Sequence, residues 1–284
     1  MSVSDCEVTA GAASLPAVPL TLEGAGVLHQ IMRFSWADWR NLPPAERGAV
    51  LQEATDMLAP LEASGESGVY SVLGHKGDLL LVHFRNSFLE LNAAQIALNR
   101  LRLQQYLAPT ASYVSVVELG LYDSTVKLYR SLTERGLIPH SDQWSSEVEQ
   151  LLERQRRAMS PRLFPKLPEA QFLCFYPMDR RRGESKNWYT LPIEERKRQM
   201  EEHGTVGRRY AGRVQQIISG SIGFDDWEWG VDLFGNDPIV FKKLIAEMRY
   251  DEVSGVYSNF GTFYLGVRCP VAKLGDLLEG KPLE

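Results

Sequence analysis

The chain has 284 residues, a net charge of -5, and is 44% hydrophobic and 24% charged. That length supports one large domain or two small ones around a proper core, and the acidic balance argues against a nucleic-acid binder. No run of about 18 apolar residues offers a membrane span, and Cys6, Cys174 and Cys269 lie too far apart for a disulfide framework or a zinc site, which suits a reducing cytoplasm.

Residues 1–26 are rich in Ala, Ser, Gly, Val and Pro, carry no Lys or Arg, and read as a disordered tail without the basic start of a secretory signal. A strand is predicted over 27–36 and a helix over 43–58, opened by Pro43, Pro44 and Glu46. Residues 68–73 and 78–84 form a hairpin around His75-Lys76-Gly77. A helix follows over 87–103, with Leu89, Leu91, Ile96, Leu98 and Leu101 at apolar positions, then a strand over 112–121. The order strand, helix, strand, strand, helix, strand is the ferredoxin-like pattern.

Residues 122–168 form a long connector. It holds a mostly charged helical stretch at 145–159 and little periodicity over 123–141. A connector this long in a compact enzyme is often functional. The second half then repeats the first: strand 172–178, helix 192–203, strands 215–221 and 227–234, helix 237–248, strand 256–266. The expected class is α+β, with ferredoxin-like halves at 27–121 and 169–268 stacked into a dimeric α/β-barrel. Residues 269–284 read as a loose C-terminal tail.

In the strand 172–178, Cys174, Tyr176 and Met178 share one face and Leu173 and Phe175 the other, so both faces are expected to be buried. Pro177 cannot donate to a ladder and is expected at a strand end or edge. The helix over 192–203 is expected to stop at Gly204 in a left-handed conformation, with His203 as its last side chain. Taken alone, Tyr176 reads as a core tyrosine and His203 as a cation facing a helix dipole. His29 and His83 alternate with apolar strand residues and read as structural.

The motifs change that reading. Tyr176-Pro177-Met178, Asn187-Trp188-Tyr189, Glu202-His203-Gly204, Tyr210-Ala211-Gly212, Gly220 to Asp226, Glu228-Trp229-Gly230 and Glu247 to Ser254 occur in that order. Together they resemble the coproheme decarboxylase branch of the chlorite dismutase-like superfamily, over about residues 27–268. The resemblance implies a peroxide-dependent enzyme that converts the propionates at ring positions 2 and 4 of iron coproporphyrin III (coproheme) to vinyls, giving haem b through a three-propionate intermediate. The iron porphyrin is then both substrate and cofactor. His203 takes the place of the proximal iron ligand and Tyr176 that of the radical-forming tyrosine. The tyrosyl radical takes a hydrogen atom from a propionate β-carbon, and loss of an electron and carbon dioxide leaves the vinyl.

By the same resemblance Tyr122, Arg162, Met178, Arg180, Arg249 and Ser254 contact the porphyrin. Arg180 stands where the family usually has Lys, which puts the geometry of that contact in question. Ser160 stands where some members carry Arg. Gln216 occupies the position at which chlorite dismutases hold an arginine over the iron; glutamine is neutral and is what the decarboxylase branch has. The resemblance also implies a homo-oligomer, usually a pentamer, a cytoplasmic location and a plausible transient coproporphyrin ferrochelatase partner. Two other readings stay open: a chlorite dismutase or peroxidase-type haem enzyme, and a haem carrier or sensor without turnover.

Overall fold

The structure is a computed structural model and describes residues 15–283. The first half runs β1 (Thr21–Phe34), α1 (Trp36–Asn41), α2 (Pro44–Ala63), β2 (Ser67–Leu73), β3 (Leu79–Arg85), α3 (Phe88–Arg100) and β4 (Leu107–Gly120). Helices α4 (Tyr122–Glu134) and α5 (Asp142–Leu163) connect it to the second half. That half contains β5 (Phe172–Arg180), α6 (Ile193–Arg208), β6 (Gln215–Gly220), β7 (Trp229–Gly235), α7 (Pro238–Met248), α8 (Glu252–Tyr257), β8 (Ser258–Phe260) and β9 (Tyr264–Cys269), and α9 (Leu274–Leu278) ends the chain.

The strands form one antiparallel sheet in the order β7-β6-β4-β1-β3-β2-β9-β5-β8, and β5 also pairs with β7. The pairing therefore returns to its starting strand, and the sheet has an inside and an outside. Strand alternation sends Val27 and Ile31 of β1, Leu173 and Phe175 of β5 and Phe234 of β7 inward, where they meet Tyr70, Val82 and Tyr113. His29 is buried with them. Its Nε2 lies 2.8 Å from Asp232 Oδ1, and its ring stacks on Phe175 at 3.9 Å. Outside, α1, α2, α3 and α9 cover the first half through Trp39, Leu58, Leu98, Leu274 and Leu278. Helices α6 and α7 cover the second, through Val206, Phe241 and Leu244.

Several expectations need correction. Residues 1–14 of the expected tail lie outside the described residues, but 15–26 are ordered by packing and pairing. Leu15 and Leu20 pack on Tyr129, Leu132 and Trp144, and β1 begins at Thr21 rather than Val27. The run Gly24-Ala25-Gly26 reads as the end of the tail in sequence, yet it forms a bulge against β4. A Cβ on Gly24 would run into the Leu163 carbonyl oxygen, so only glycine lets the end of α5 cross there. The connector is two helices. Val126, Tyr129 and Leu132 recur at helical spacing on the buried face of α4, a pattern hidden by the charges between them. The C-terminal tail is no loose end, since Val271, Leu274 and Leu278 are buried against α2.

Helix α6 does not stop at Gly204; it runs on to Arg208, because Val206 in the added turn is buried under α7. The left-handed glycine comes later, at Gly212 with φ of 80°. Pro177 is interior to β5 rather than at its end or edge. Its neighbouring strand is interrupted there: β5 pairs with β9 through Phe175 and with β8 from Met178, so no ladder bond is missed at Pro177. The strand expected over 256–266 is correspondingly split into the end of α8, β8 and β9. Gly261 crosses the break with its N–H bonded to the Pro177 carbonyl at 2.8 Å.

Candidate functional site

Between α6 and the outer face of the second-half sheet lies a cavity of about 1120 Å³. That is at or above the upper end of the range for drug-sized ligands. Strand alternation builds one wall: Tyr176, Met178, Gln216, Ile218, Trp229 and Val231 all carry the parity opposite to the inner core. Helix α6 builds the facing wall. Arg196, Met200 and His203 recur along it at the spacing of one helix face.

His203 is held from behind. Its Nδ1 lies 2.8 Å from Asp251 Oδ2, and Ser254 Oγ is 3.4 Å from the same nitrogen. Asp251 also caps α8, its Oδ1 accepting from the Ser254 N–H at 2.7 Å. Burial pushes the Asp251 carboxyl up, but the bonds from His203 and Ser254 outweigh it and hold the group below its ordinary value. An ionised carboxylate only accepts, so Nδ1 carries the proton and the Nε2 lone pair is left on the cavity side. Arg198 bonds Glu195 and Glu202 on α6 and Glu252 at the start of α8, the residue after Asp251. No cluster of three or more His, Cys, Asp and Glu among the described residues could hold a bare metal ion. A single imidazole with an oriented Nε2 suits an iron whose remaining ligands come from a macrocycle.

Tyr176 is 4% exposed, and its ring stacks on Phe263 at 4.5 Å. Burial pushes its phenol up, Cys174 adds to this, and Arg249 and Arg180 pull only partly against it. The phenol keeps its proton through the physiological range. Arg180 follows on the same strand face. Its guanidinium bonds the Ser258 hydroxyl at 2.5 Å, contacts Met200 Sδ at 3.6 Å and lies 5.0 Å over Trp188.

Four arginines line the cavity, Arg162, Arg180, Arg196 and Arg208, and none of them has a carboxylate partner among the described residues. Glu118 is the only acid in the lining among the described residues. It accepts from Trp229 Nε1 at 3.2 Å, and burial raises its carboxyl. Unpaired guanidiniums in a partly dry cavity favour a ligand with several carboxylates. Met178, Ile218, Ile245 and Phe260 supply apolar surface between them.

Of the nine residues singled out in the sequence, eight line this cavity: Tyr122, Arg162, Tyr176, Met178, Arg180, His203, Gln216 and Ser254. Arg249 does not. It is exposed at the end of α7, with its guanidinium 3.6 Å over the Phe260 ring, which in turn lies 5.9 Å from Tyr176. The sequence reading missed Arg196, Arg208 and Asp251. Arg196 was available from spacing alone, two helical turns before His203 on one face. Asp251 lacked such a signal, because its pairing with His203 depends on how α8 docks against α6.

The chlorite dismutase family model matches residues 47–269. A coproheme decarboxylase from Staphylococcus saprophyticus is 40% identical over 268 residues, covering 93% of this chain and 99% of that protein. A solved heme-binding protein from Thermus thermophilus is 38% identical with a TM-score of 0.79, covering 94% of this chain and 99% of the other. A chlorite dismutase from Candidatus Nitrospira defluvii shares the fold at 17% identity, with a TM-score of 0.66 over 90% and 95% of the two chains. The chain belongs to the chlorite dismutase family. The expected kinship with its coproheme decarboxylase branch is borne out by the identity to the Staphylococcus protein.

Proposed function

We propose that this protein is a hydrogen-peroxide-dependent heme synthase that decarboxylates the propionates at positions 2 and 4 of coproheme to give haem b. The observation that carries this reading is one cavity holding an Asp-oriented imidazole, a buried phenol and four arginines without carboxylate partners. Coproheme presents four carboxylates and one iron, and the lining offers charge of the opposite sign and an axial nitrogen.

The bound iron porphyrin with peroxide supplies the oxidising equivalents. The residues do the rest. His203 Nε2 fixes the iron from the α6 side, and Asp251 keeps the imidazole in the donor tautomer and raises its basicity. Tyr176 is protonated and buried, so it gives up its hydrogen as a proton and electron together rather than titrating away beforehand. The oxidised tyrosine recovers a hydrogen atom from a propionate β-carbon. Each round consumes one propionate, one hydrogen peroxide and one proton and yields one vinyl, one carbon dioxide and two waters. Arg180 replaces the usual Lys and holds a carboxylate on the strand face of Tyr176 through its forked donors. Gln216 has no charge with which to trap a chlorite oxyanion, which favours this branch over chlorite dismutation. A carrier would have no use for an oxidisable phenol in the cavity wall.

The reading extends to architecture. The sheet closure and the repeated element order support two ferredoxin-like halves, 27–121 and 169–268, forming an α/β-barrel within one chain. A pentameric, cytoplasmic enzyme that receives its substrate from a ferrochelatase is consistent with family membership, and no helix among the described residues is long and apolar enough to cross a membrane. The test is to mix the protein with ferric coproporphyrin III, titrate hydrogen peroxide and follow the porphyrin by mass spectrometry. The expected result is stepwise loss of two carboxyl groups, with Tyr176→Phe binding the porphyrin but losing none. Binding without carboxyl loss in the wild type would move the reading to a carrier.

A further inference from the structure

Arg196 is the most deeply buried cation of the cavity wall, 3% exposed on the face of α6 that also carries His203. One of its terminal nitrogens bonds the carbonyl oxygen of Ala17, in the segment that crosses the cavity ahead of β1. Its Nε is buried without any partner. No carboxylate pairs with it among the described residues. A guanidinium so placed leaves both a charge and a donor uncompensated, a cost retained only where something else satisfies them.

The placement identifies what does. Arg196 precedes His203 by two turns of one helix, roughly 10 Å along the axis. With an iron at His203 Nε2, that offset runs from the centre of a porphyrin towards its carboxylate-bearing edge. Arg180 contacts Met200 Sδ at 3.6 Å, and Met200 is one turn after Arg196 on the same face of α6, so the two guanidiniums border the same stretch of the cavity. The bond to Ala17 leaves Nε free and fixes the plane of the fork.

We infer that Arg196 is a substrate-binding residue that grips one carboxylate of the porphyrin, with the Ala17 carbonyl holding its guanidinium in place. The inference rests on the proposed porphyrin site and adds to it a residue of the helix wall. Ser160 is exposed on α5 and outside the lining, so Arg196 adds a cation that the α5 position does not supply.

The experiment measures ferric coproporphyrin III binding by absorbance titration, together with thermal unfolding of the porphyrin-free protein, for wild type, Arg196→Met and Arg196→Lys. Arg196→Met is expected to bind about 10- to 100-fold more weakly, the size of one lost charged hydrogen-bonded contact. Its porphyrin-free midpoint should fall by no more than about 2 °C, because the change also removes an unpaired buried charge. Arg196→Lys should bind with intermediate affinity, as a charge without a fork. Unchanged affinity in Arg196→Met overturns the inference. So does a weaker affinity accompanied by a larger drop of the midpoint in both variants, which would assign Arg196 to supporting the Ala17 segment. Failure of the wild type itself to bind would instead overturn the porphyrin site.

Discussion

The two halves repeat one order of elements and cover the same outer face of the sheet, but they fill it differently. Between the first-half sheet and helices α1, α2, α3 and α9, Phe34, Trp39, Leu58, Leu98 and Leu103 close the space with large apolar side chains. Under α6, the corresponding wall carries Gln216, Met178 and Tyr176, faces His203 and Arg196 across a gap, and leaves a cavity of about 1120 Å³. Site and scaffold differ here by side-chain choice on a common backbone plan. The first half supplies packing that holds the sheet in shape, and the second gives up that packing to admit a ligand.

Substitutions in each half sharpen the contrast. The largest effect on stability is expected from Leu98→Ala, which opens a void in the filled half: about 2–5 kcal/mol lost in denaturant unfolding, with porphyrin affinity unchanged at conditions where the variant is folded. A comparable loss of porphyrin affinity would show that the halves are not separable in this sense. Asp251→Asn acts on the open half alone. Its amide oxygen keeps the Ser254 N–H and its NH2 then faces His203 Nδ1, which turns the imidazole to the wrong tautomer, so porphyrin affinity or turnover should fall by about 10- to 100-fold with a shift in the porphyrin absorbance, while the unfolding midpoint moves little.

The smallest effect is a pH dependence lodged in the filled half. His83 bonds Ser67 at 2.8 Å, and burial, with Arg85 and His29 adding to it, holds its imidazole down at about 3. The unfolded chain takes up a proton near the ordinary value of 6.5, and the folded protein does not until about 3. Its neutral burial therefore supports the fold fully above 6.5, and this support is lost as pH falls through that window, by about 1.4 kcal/mol per unit. Stability measured from pH 7 to pH 5 should decline less in His83→Gln than in the wild type. Equal slopes would place the proton uptake elsewhere.

Much of this contrast is legible in the amino-acid sequence. Tyr176, Met178 and Gln216 follow from strand alternation, and eight of the nine residues marked in the sequence meet in one cavity. What failed did so for tertiary reasons. Gly204 looks like a helix stop, but burial of Val206 outweighs the local preference. Gly24 and Gly26 look like tail, but α5 crosses the chain there. Arg249 shares the Glu247 to Ser254 motif with Ser254, yet α7 ends so that its side chain lies over Phe260 rather than in the cavity wall. Motif order carries the kinship; which side chain reaches the ligand is decided by how α8 and β8 turn back onto α6.

The closed sheet also bears on how the chain is made. β2 finds its second partner only in β9, where Val69 pairs with Cys269, and β4 finds its own only in β6, where Val116 pairs with Gly220. At ordinary rates of synthesis the completed first half waits roughly 7–30 s for the last strand to emerge. Until β6 emerges it presents two open edges, one at β2 and one at β4, and from then until β9 emerges the edge at β2, each able to pair with a neighbouring nascent chain. The ring that leaves these strands no free edge in the finished protein is thus its main exposure to misassembly on the ribosome, and the last-made strand, β9, is the one that ends it.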